Sequence, residues 1–127
     1  MKEYMLRILN DIDHLQSLSN EQNHDFLNAC KVYIEKLKNE GKLIAAQPLI
    51  KEGWLISKVD GEWQEIPFNE TKEVQVGYYH ILAVDIDDAI EIAKGNPEFE
   101  FTSNARIEVR PIKTKEINGF VYPHKNS

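Results

Sequence analysis

The chain has 127 residues, 42% of them hydrophobic, and a formal net charge of −6 at pH 7. This size and composition predict one domain with a single core, and the scattered basic residues leave no charged stripe that would favour nucleic acid as a partner. Charged residues near the N-terminus and the lack of a long apolar run predict neither a secretion signal nor a membrane partner.

The first predicted element is a strand over residues 4–9, where apolar side chains recur with period two. Arg7 shares one face of this strand with Met5 and Leu9. A buried charge is costly unless it is paired, and a guanidinium held by packing can bind a carboxylate through two hydrogen bonds. Arg7 is therefore the first candidate ligand-binding residue.

A long helix is predicted over residues 20–40. Ser19, followed three residues later by Gln22, makes a capping box, and Gly41 ends the helix. Cys30 is the single cysteine and cannot form an internal disulfide, which favours a reduced, cytoplasmic protein with a buried thiol. The apolar stripe of this helix consists of Phe26, Cys30, Tyr33, Ile34 and Leu37.

Two shorter features follow the helix. Residues 42–50 predict a strand that Pro48 confines to a sheet edge, because proline cannot donate to a strand ladder. Residues 54–59 and 62–66 flank an Asp-Gly dipeptide, which favours a two-residue hairpin turn. We expect this hairpin to protrude from the main sheet.

Residues 76–84 form the most apolar segment, which is typical of a strand covered on both faces. We expect this strand to be central in the sheet. Alternation places Tyr79 on one face and His80 on the other. Asp85, or as the alternative Asp87, caps a short helix that Gly95 and Pro97 end.

Residues 105–112 alternate as a last strand, with Arg110 on its outward side. The element order predicts an α+β fold, a ferredoxin-like βαββαβ arrangement with an added β-hairpin. Both helices would cover one sheet face; the other, apolar face would be covered by a second copy, which predicts a twofold homodimer. We expect the domain to span residues 1–112, with residues 113–127 as a C-terminal extension.

Several segments resemble the YCII-related family, in particular its DGPF-type branch: residues 67–73 (PFNETKE), 77–79 (GYY), 85–89 and 109–111. The resemblance implies a dimeric α/β-barrel built from two ferredoxin-like subunits. The branch has Asp-Gly before Pro-Phe, where this chain has Glu65-Ile66, so the resemblance passes an acid role to Glu65. Smaller family members carry a helix histidine in a His-Asp pair, and His24 lies earlier on the helix than that position.

One group of candidate site residues lies in the loop that enters the central strand. Glu65, Glu70 and Lys72 have ionisable side chains. They lie in a loop next to a rigid scaffold, where acid and base groups of functional sites are often found. The alternative is a charged turn in solvent.

A second group lies on strands otherwise built for burial. In the functional interpretation, Arg7 or Arg110 holds an anionic group of a substrate while His80, with Tyr79 nearby, moves a proton. In the structural interpretation, arginine pairs with Glu108 and His80 binds a backbone group.

The sequence shows no nucleotide-binding glycine loop, zinc-ligand spacing or nucleophile elbow, so we expect no cofactor and no metal. Two functions stay open. One is a small cofactor-independent enzyme, an isomerase, lyase or decarboxylase that transfers protons on a small carboxylate. The other is a non-catalytic dimeric module that binds a small molecule, such as an organic acid, or a protein. Assigned as catalytic are His80, Glu65 and Tyr79, and as ligand-binding Arg7, Arg110, Lys72 and Glu70.

Overall fold

The computed structural model describes residues 1–11, 13–67 and 73–123. The elements in chain order are β1 (Lys2–Asp11), α1 (Asn20–Asn39), β2 (Leu43–Pro48), β3 (Trp54–Val59), β4 (Glu62–Pro67), β5 (Glu73–Ala83), α2 (Ile86–Lys94), α3 (Glu98–Phe101) and β6 (Arg106–Pro111). Four strands form one antiparallel sheet in the order β2-β5-β1-β6, and β3 pairs only with β4. This is the ferredoxin-like strand order with an added hairpin, so the predicted α+β fold is confirmed.

The core lies between the helices and one face of the main sheet. Leu6 of β1 and Ile81 of β5 are completely buried there, at 0% exposure. Tyr33 and Leu37 of α1 and Ala89 of α2 belong to the same apolar cluster. Both helices therefore cover one face, because each presents its apolar stripe to the alternating inward residues of the strands.

The two predictions about strand position are confirmed: β5 is interior, between β1 and β2, and β2 is an edge. The ladder between β1 and β5 changes register between Ile8 and Leu9. Gly77 pairs with Ile8 and Gln75 with Leu9, which leaves Val76 without a partner on β1. Such a β-bulge redirects side chains and is common beside functional sites.

Both predicted helix starts are confirmed. The Ser19 hydroxyl accepts a hydrogen bond from the backbone N–H of Gln22 at 3.1 Å, and the Gln22 side chain accepts one from Ser19 at 2.9 Å. Asp85 caps α2 by accepting from the backbone N–H of Asp88. The short helix α3 was not predicted, since Pro97 directly after α2 indicated only a stop.

The hairpin of β3 and β4 stands apart from the main sheet, as predicted. Its turn residues, Asp60 and Gly61, have φ angles of 51° and 79°, the left-handed values that a two-residue turn of this kind requires. Trp54 and Trp63 remain 65% and 70% exposed. Among the described residues, the large apolar side chains of the hairpin therefore remain largely exposed.

The second face of the main sheet is turned away from the helices, and we call it the open face. Strand alternation and cross-strand pairing place on it Glu3, Met5, Arg7, Leu9, Ala45, Gln47, Gln75, Tyr78, His80, Leu82, Arg106, Glu108 and Arg110. The expectation that this face is apolar was wrong, because polar side chains alternate on it with Met5, Leu9 and Leu82. Cross-strand hydrogen bonds between those polar groups reduce the need for an apolar cover.

Candidate functional site

The structure separates the residues that the sequence grouped as one site. His80, Arg7 and Arg110 share the open face, whereas Tyr79 points to the helices on the other side of the sheet. Glu65 lies on the exposed strand β4 of the separate hairpin. Glu70 and Lys72 lie outside the described residues. The structure therefore contains two separate polar clusters, one on each side of the main sheet.

On the open face, Arg7 is held by its neighbours. Its Nε donates to Gln75 Oε1 at 3.0 Å, and its Nη1 donates to both carboxylate oxygens of Glu108 at 3.2 Å. Arg110 makes a longer contact of 3.7 Å with the same carboxylate, and its side chain is 71% exposed. Arg7 thus pairs with Glu108 as the structural interpretation expects, and Arg110 is the more accessible cation.

The second feature of the open face is a histidine–carboxylate pair. His80 Nε2 lies 2.6 Å from Glu3 Oε1. The Glu3 side chain is 1% exposed and that of His80 is 22% exposed. The partner of His80 is thus a carboxylate and not the backbone group of the structural interpretation. A short contact of this kind fixes the orientation of the imidazole.

On the opposite side of the sheet, α1 and the β2–β5 edge enclose a cavity of about 480 Å³, which we call the helix-side cavity. Its wall is mostly apolar and includes the bulged residue Val76. Nine residues with polar or ionisable side chains interrupt that wall: His14, Cys30, Lys31, Glu35, Gln47, Tyr78, Tyr79, Asn96 and Glu98. An apolar cavity with a few convergent polar groups is the usual form of a small-molecule site.

The Glu98 carboxylate is buried and held in place from several directions. Oε2 accepts from Asn10 Nδ2 at 2.9 Å and lies 3.5 Å from Thr102 Oγ1. Oε1 lies 3.5 Å from His14 Nε2, and the two side chains are only 10% and 14% exposed. The backbone N–H of Glu98 donates to the Asn96 side-chain oxygen at 2.9 Å. This network orients the carboxylate towards His14.

Two buried nitrogen atoms at the helix-side cavity lack hydrogen-bond partners among the described residues. They are Nδ1 of His14 and Nδ2 of Asn96, and Asn96 as a whole is only 2% exposed. An unmade hydrogen bond of a buried polar group costs about 1–3 kcal/mol. A bound ligand that supplies the missing partner removes this cost. Both atoms belong to residues that line the cavity.

Burial keeps the Cys30 thiol and the Tyr79 hydroxyl protonated at neutral pH. Burial raises the pKa of the Cys30 thiol to about 11, and the nearby Glu98 charge acts in the same direction. Burial also raises the pKa of Tyr79 far above its ordinary range, with Cys30 and Glu98 adding to the effect and contact with Asn96 opposing it. Tyr79 is therefore a hydroxyl donor, and Cys30 is not a thiolate nucleophile.

His14 also lines a groove outside the helix-side cavity. This open groove of about 750 Å³ contains the carboxylates of Asp11 and Asp13. The imidazole thus stands between an enclosed apolar space and a polar surface.

Within residues 1–11, 13–67 and 73–123, no three metal-ligating side chains come together as a possible ion site. No helix in the described part of the chain is long and apolar enough to cross a membrane. A family model, the YCII-related domain, matches residues 3–114. The chain belongs to the YCII-related family. A search of curated proteins found no match.

Three residues of the helix-side cavity in this YCII-related protein were missed by sequence reasoning. His14 falls in a polar connection, and Asn96 and Glu98 follow a segment interpreted only as a helix stop. One signal was available: Glu98 begins the pattern Glu-Phe-Glu-Phe, in which an acid stands among large apolar residues. Their convergence with Tyr79 depends on contacts between distant parts of the chain.

Proposed function

We propose that this YCII-related protein transfers a proton at the carbon beside the carbonyl group of a small carboxylate, in the helix-side cavity and without a cofactor. The observation that carries the proposal is the buried His14–Glu98 pair beside an unpartnered Asn96 amide on one cavity wall. A base, a group that orients it and donors for a developing oxyanion are the parts this chemistry needs. Membership of the DGPF-type branch is also proposed, on residues 67–73.

His14 is the proton acceptor in this mechanism. If Nε2–H faces Glu98, the lone pair is on Nδ1, the nitrogen that lacks a partner among the described residues. Transfer of the substrate proton to Nδ1 produces an imidazolium, which the Glu98 carboxylate stabilises. The 3.5 Å separation of the pair is long for a hydrogen bond, as is common in a catalytic site without its substrate.

The electron pair released from the carbon–hydrogen bond moves onto the carbonyl oxygen. Asn96 Nδ2 and the Tyr79 hydroxyl are the donors proposed for that oxyanion. Both are fixed by burial, so they need little reorganisation when charge develops. Return of the proton from His14 to another carbon of the resulting enolate, with the electron pair moving back from the oxygen, completes an isomerisation.

The substrate carboxylate is assigned to the mouth of the cavity. Arg7 and Arg110 lie on the opposite face of the sheet, so neither faces the helix-side cavity. Lys31 is exposed and lines the cavity rim. Lys31 is the proposed partner of the substrate carboxylate, which stays in water at the rim. The carbonyl end of the substrate then enters the apolar space.

The test is hydrogen–deuterium exchange at the carbon beside the carbonyl of small 2-oxo acids, such as 2-oxobutyrate, followed by proton NMR in D₂O. We expect the wild-type protein to accelerate exchange and His14→Gln to lose about 10²–10⁴-fold of that acceleration. His24→Gln is the matched control, because His24 lies on the exposed side of α1. Equal exchange rates in His14→Gln and in the wild-type protein would rule out the assigned base.

A second candidate function is favoured by the His80–Glu3 pair and the exposed guanidinium of Arg110. It is a homodimeric module that binds a small organic acid at the open face, closed by a second copy. The arginines would hold the carboxylate, and His80 would be the nearest imidazole. In this function Tyr79 has only a packing role.

For that second candidate we expect small organic acids to raise the melting temperature, since ligand at a hundredfold its Kd adds about 2.7 kcal/mol of stability. Arg110→Lys should reduce the increase more than Arg7→Lys, because Arg7 is already bound to Glu108. Thermal shift with both variants measures this. An increase that survives in both variants, with no change in the His80 NMR titration, would exclude the open face.

A further inference from the structure

The helix-side cavity is larger than a short 2-oxo acid. Its volume of about 480 Å³ falls in the range of about 300–1,000 Å³ that is usual for sites of drug-sized ligands. 2-Oxobutyrate has about seven non-hydrogen atoms, which fill about 210 Å³ if each takes the ~30 Å³ of a water in the liquid. More than half of the cavity therefore stays empty around this compound.

The polar side chains of the cavity wall fall into a buried group and an exposed group. In the buried group, Glu98 lies 3.5 Å from His14, and its backbone N–H donates to Asn96 at 2.9 Å. Asn96 also lies beside the Tyr79 hydroxyl. The exposed group forms the rim and includes Lys31, Glu35 and Gln47. A ligand of this cavity therefore needs a polar head for the buried group and an apolar part for the rest of the wall.

The apolar part of the wall contains two small residues where strands β2 and β5 pair. Ala46 pairs with Tyr79, so its methyl group faces the helices, and on the same face Gly77 has no side chain. Ile34 of α1 and the bulged Val76 line the space beside them. We call the space lined by Ile34, Ala46, Val76 and Gly77 the chain subsite. Its room depends on the small size of Ala46 and Gly77.

We propose that the helix-side cavity takes a 2-oxo acid with an apolar chain of about six carbons, and that Ala46 determines the chain length it accepts. The inference rests on the proposed function, which supplies the 2-oxo acid head next to His14 and Asn96. The chain lies in the chain subsite. 2-Oxooctanoate has about eleven non-hydrogen atoms and fills about 330 Å³ by the same measure, which the cavity accommodates.

The first test is calorimetric titration of the wild-type protein with 2-oxobutyrate, 2-oxohexanoate and 2-oxooctanoate. The three acids share one head and differ only in chain length. We expect each added methylene to lower the Kd about fourfold, which gives a total of about 10²-fold from the first acid to the last. A Kd that stays constant along the series would overturn the proposal.

The decisive variant is Ala46→Leu, because the larger side chain fills the chain subsite. We expect it to raise the Kd of 2-oxooctanoate about tenfold or more and to flatten the dependence on chain length. Ala45→Leu is the matched control: Ala45 pairs with His80, so the same substitution lies on the open face. Ala46→Val repeats the test if Ala46→Leu folds poorly. An unchanged series in the Ala46 variants, or an equal loss in Ala45→Leu, would overturn the role of Ala46.

Deuterium exchange on the same three acids separates this inference from the proposed reaction. Tighter binding along the series without exchange would support the chain subsite and overturn the proton transfer. Exchange of 2-oxobutyrate with no tightening along the series would overturn the chain subsite and leave the reaction standing. Failure of all three acids to bind would overturn both.

Discussion

Replacing Leu6 by alanine is expected to lower the free energy of unfolding by about 3 kcal/mol, the range found when a fully buried leucine is truncated. Leu6 is 0% exposed, and it pairs with Tyr79 on one neighbouring strand and with Val109 on the other. Removal of its methyl groups leaves a cavity beneath the helices that interior strands cannot close by shifting. Urea unfolding followed by circular dichroism measures the loss.

The matched control is Leu27→Ala on α1. Leu27 is 56% exposed, and alanine is a better helix former, so we expect a change within about 0.5 kcal/mol. Similar losses in the two variants would contradict the assignment of the core to the helix-covered face. The comparison holds residue type constant and changes only burial.

The stability of the protein is expected to fall steeply at alkaline pH. Burial raises the pKa of both Tyr33 and Tyr79 far above the ordinary tyrosine range, and each tyrosine is 9% exposed. Above pH 10 the unfolded chain loses these protons while the folded chain keeps them. The unfolded state then binds fewer protons, so each rise in pH favours unfolding.

The expected loss is about 2 kcal/mol for each of the two tyrosines between pH 10 and pH 12. Cys30 adds to it at lower pH, because burial raises its pKa from 9.0 to about 11. Urea unfolding at a series of pH values measures the slope. The double variant Tyr33→Phe, Tyr79→Phe should flatten the curve above pH 10.

At neutral pH the two single variants should differ from each other. The Tyr33 hydroxyl donates to the Ile92 carbonyl at 2.6 Å, so Tyr33→Phe should cost about 1 kcal/mol at pH 7. Tyr79→Phe should change the free energy of unfolding at pH 7 very little. It should instead slow the exchange reaction, if the hydroxyl contacts the developing oxyanion. An unchanged alkaline slope in the double variant would show that the buried tyrosines titrate normally.

Local pattern determined most of the secondary structure of this chain. The capping box at Ser19, the Asp-Gly turn and the proline at the end of β2 each act over a few residues, so their effects can be predicted without the rest of the fold. The alternation in β1 and β5 also indicated which side chains face the helices. The strand order then followed from the order of the elements and the tendency of sequential elements to pack together.

The open face was predicted in part. Arg7, His80 and Arg110 were grouped as one candidate site, and the pairing of arginine with Glu108 was one of the two interpretations. The contact of His80 with Glu3 was not foreseen, because it depends on how β1 and β5 are aligned. A shift of one residue in that register would move every such partner to the other face.

The amino-acid sequence by itself determined the six strands and the two longer helices, their ferredoxin-like order, and the placement of Tyr79 and His80 on opposite faces of β5. Only the tertiary structure decided that Glu98 meets Asn10, 88 positions away, and that His14 and Asn96 border the same cavity as Tyr79. The physical reason is that periodicity reports on one element at a time. A site made of a connection, a strand and a one-turn helix has no periodicity of its own, and forms only when the core brings those segments together.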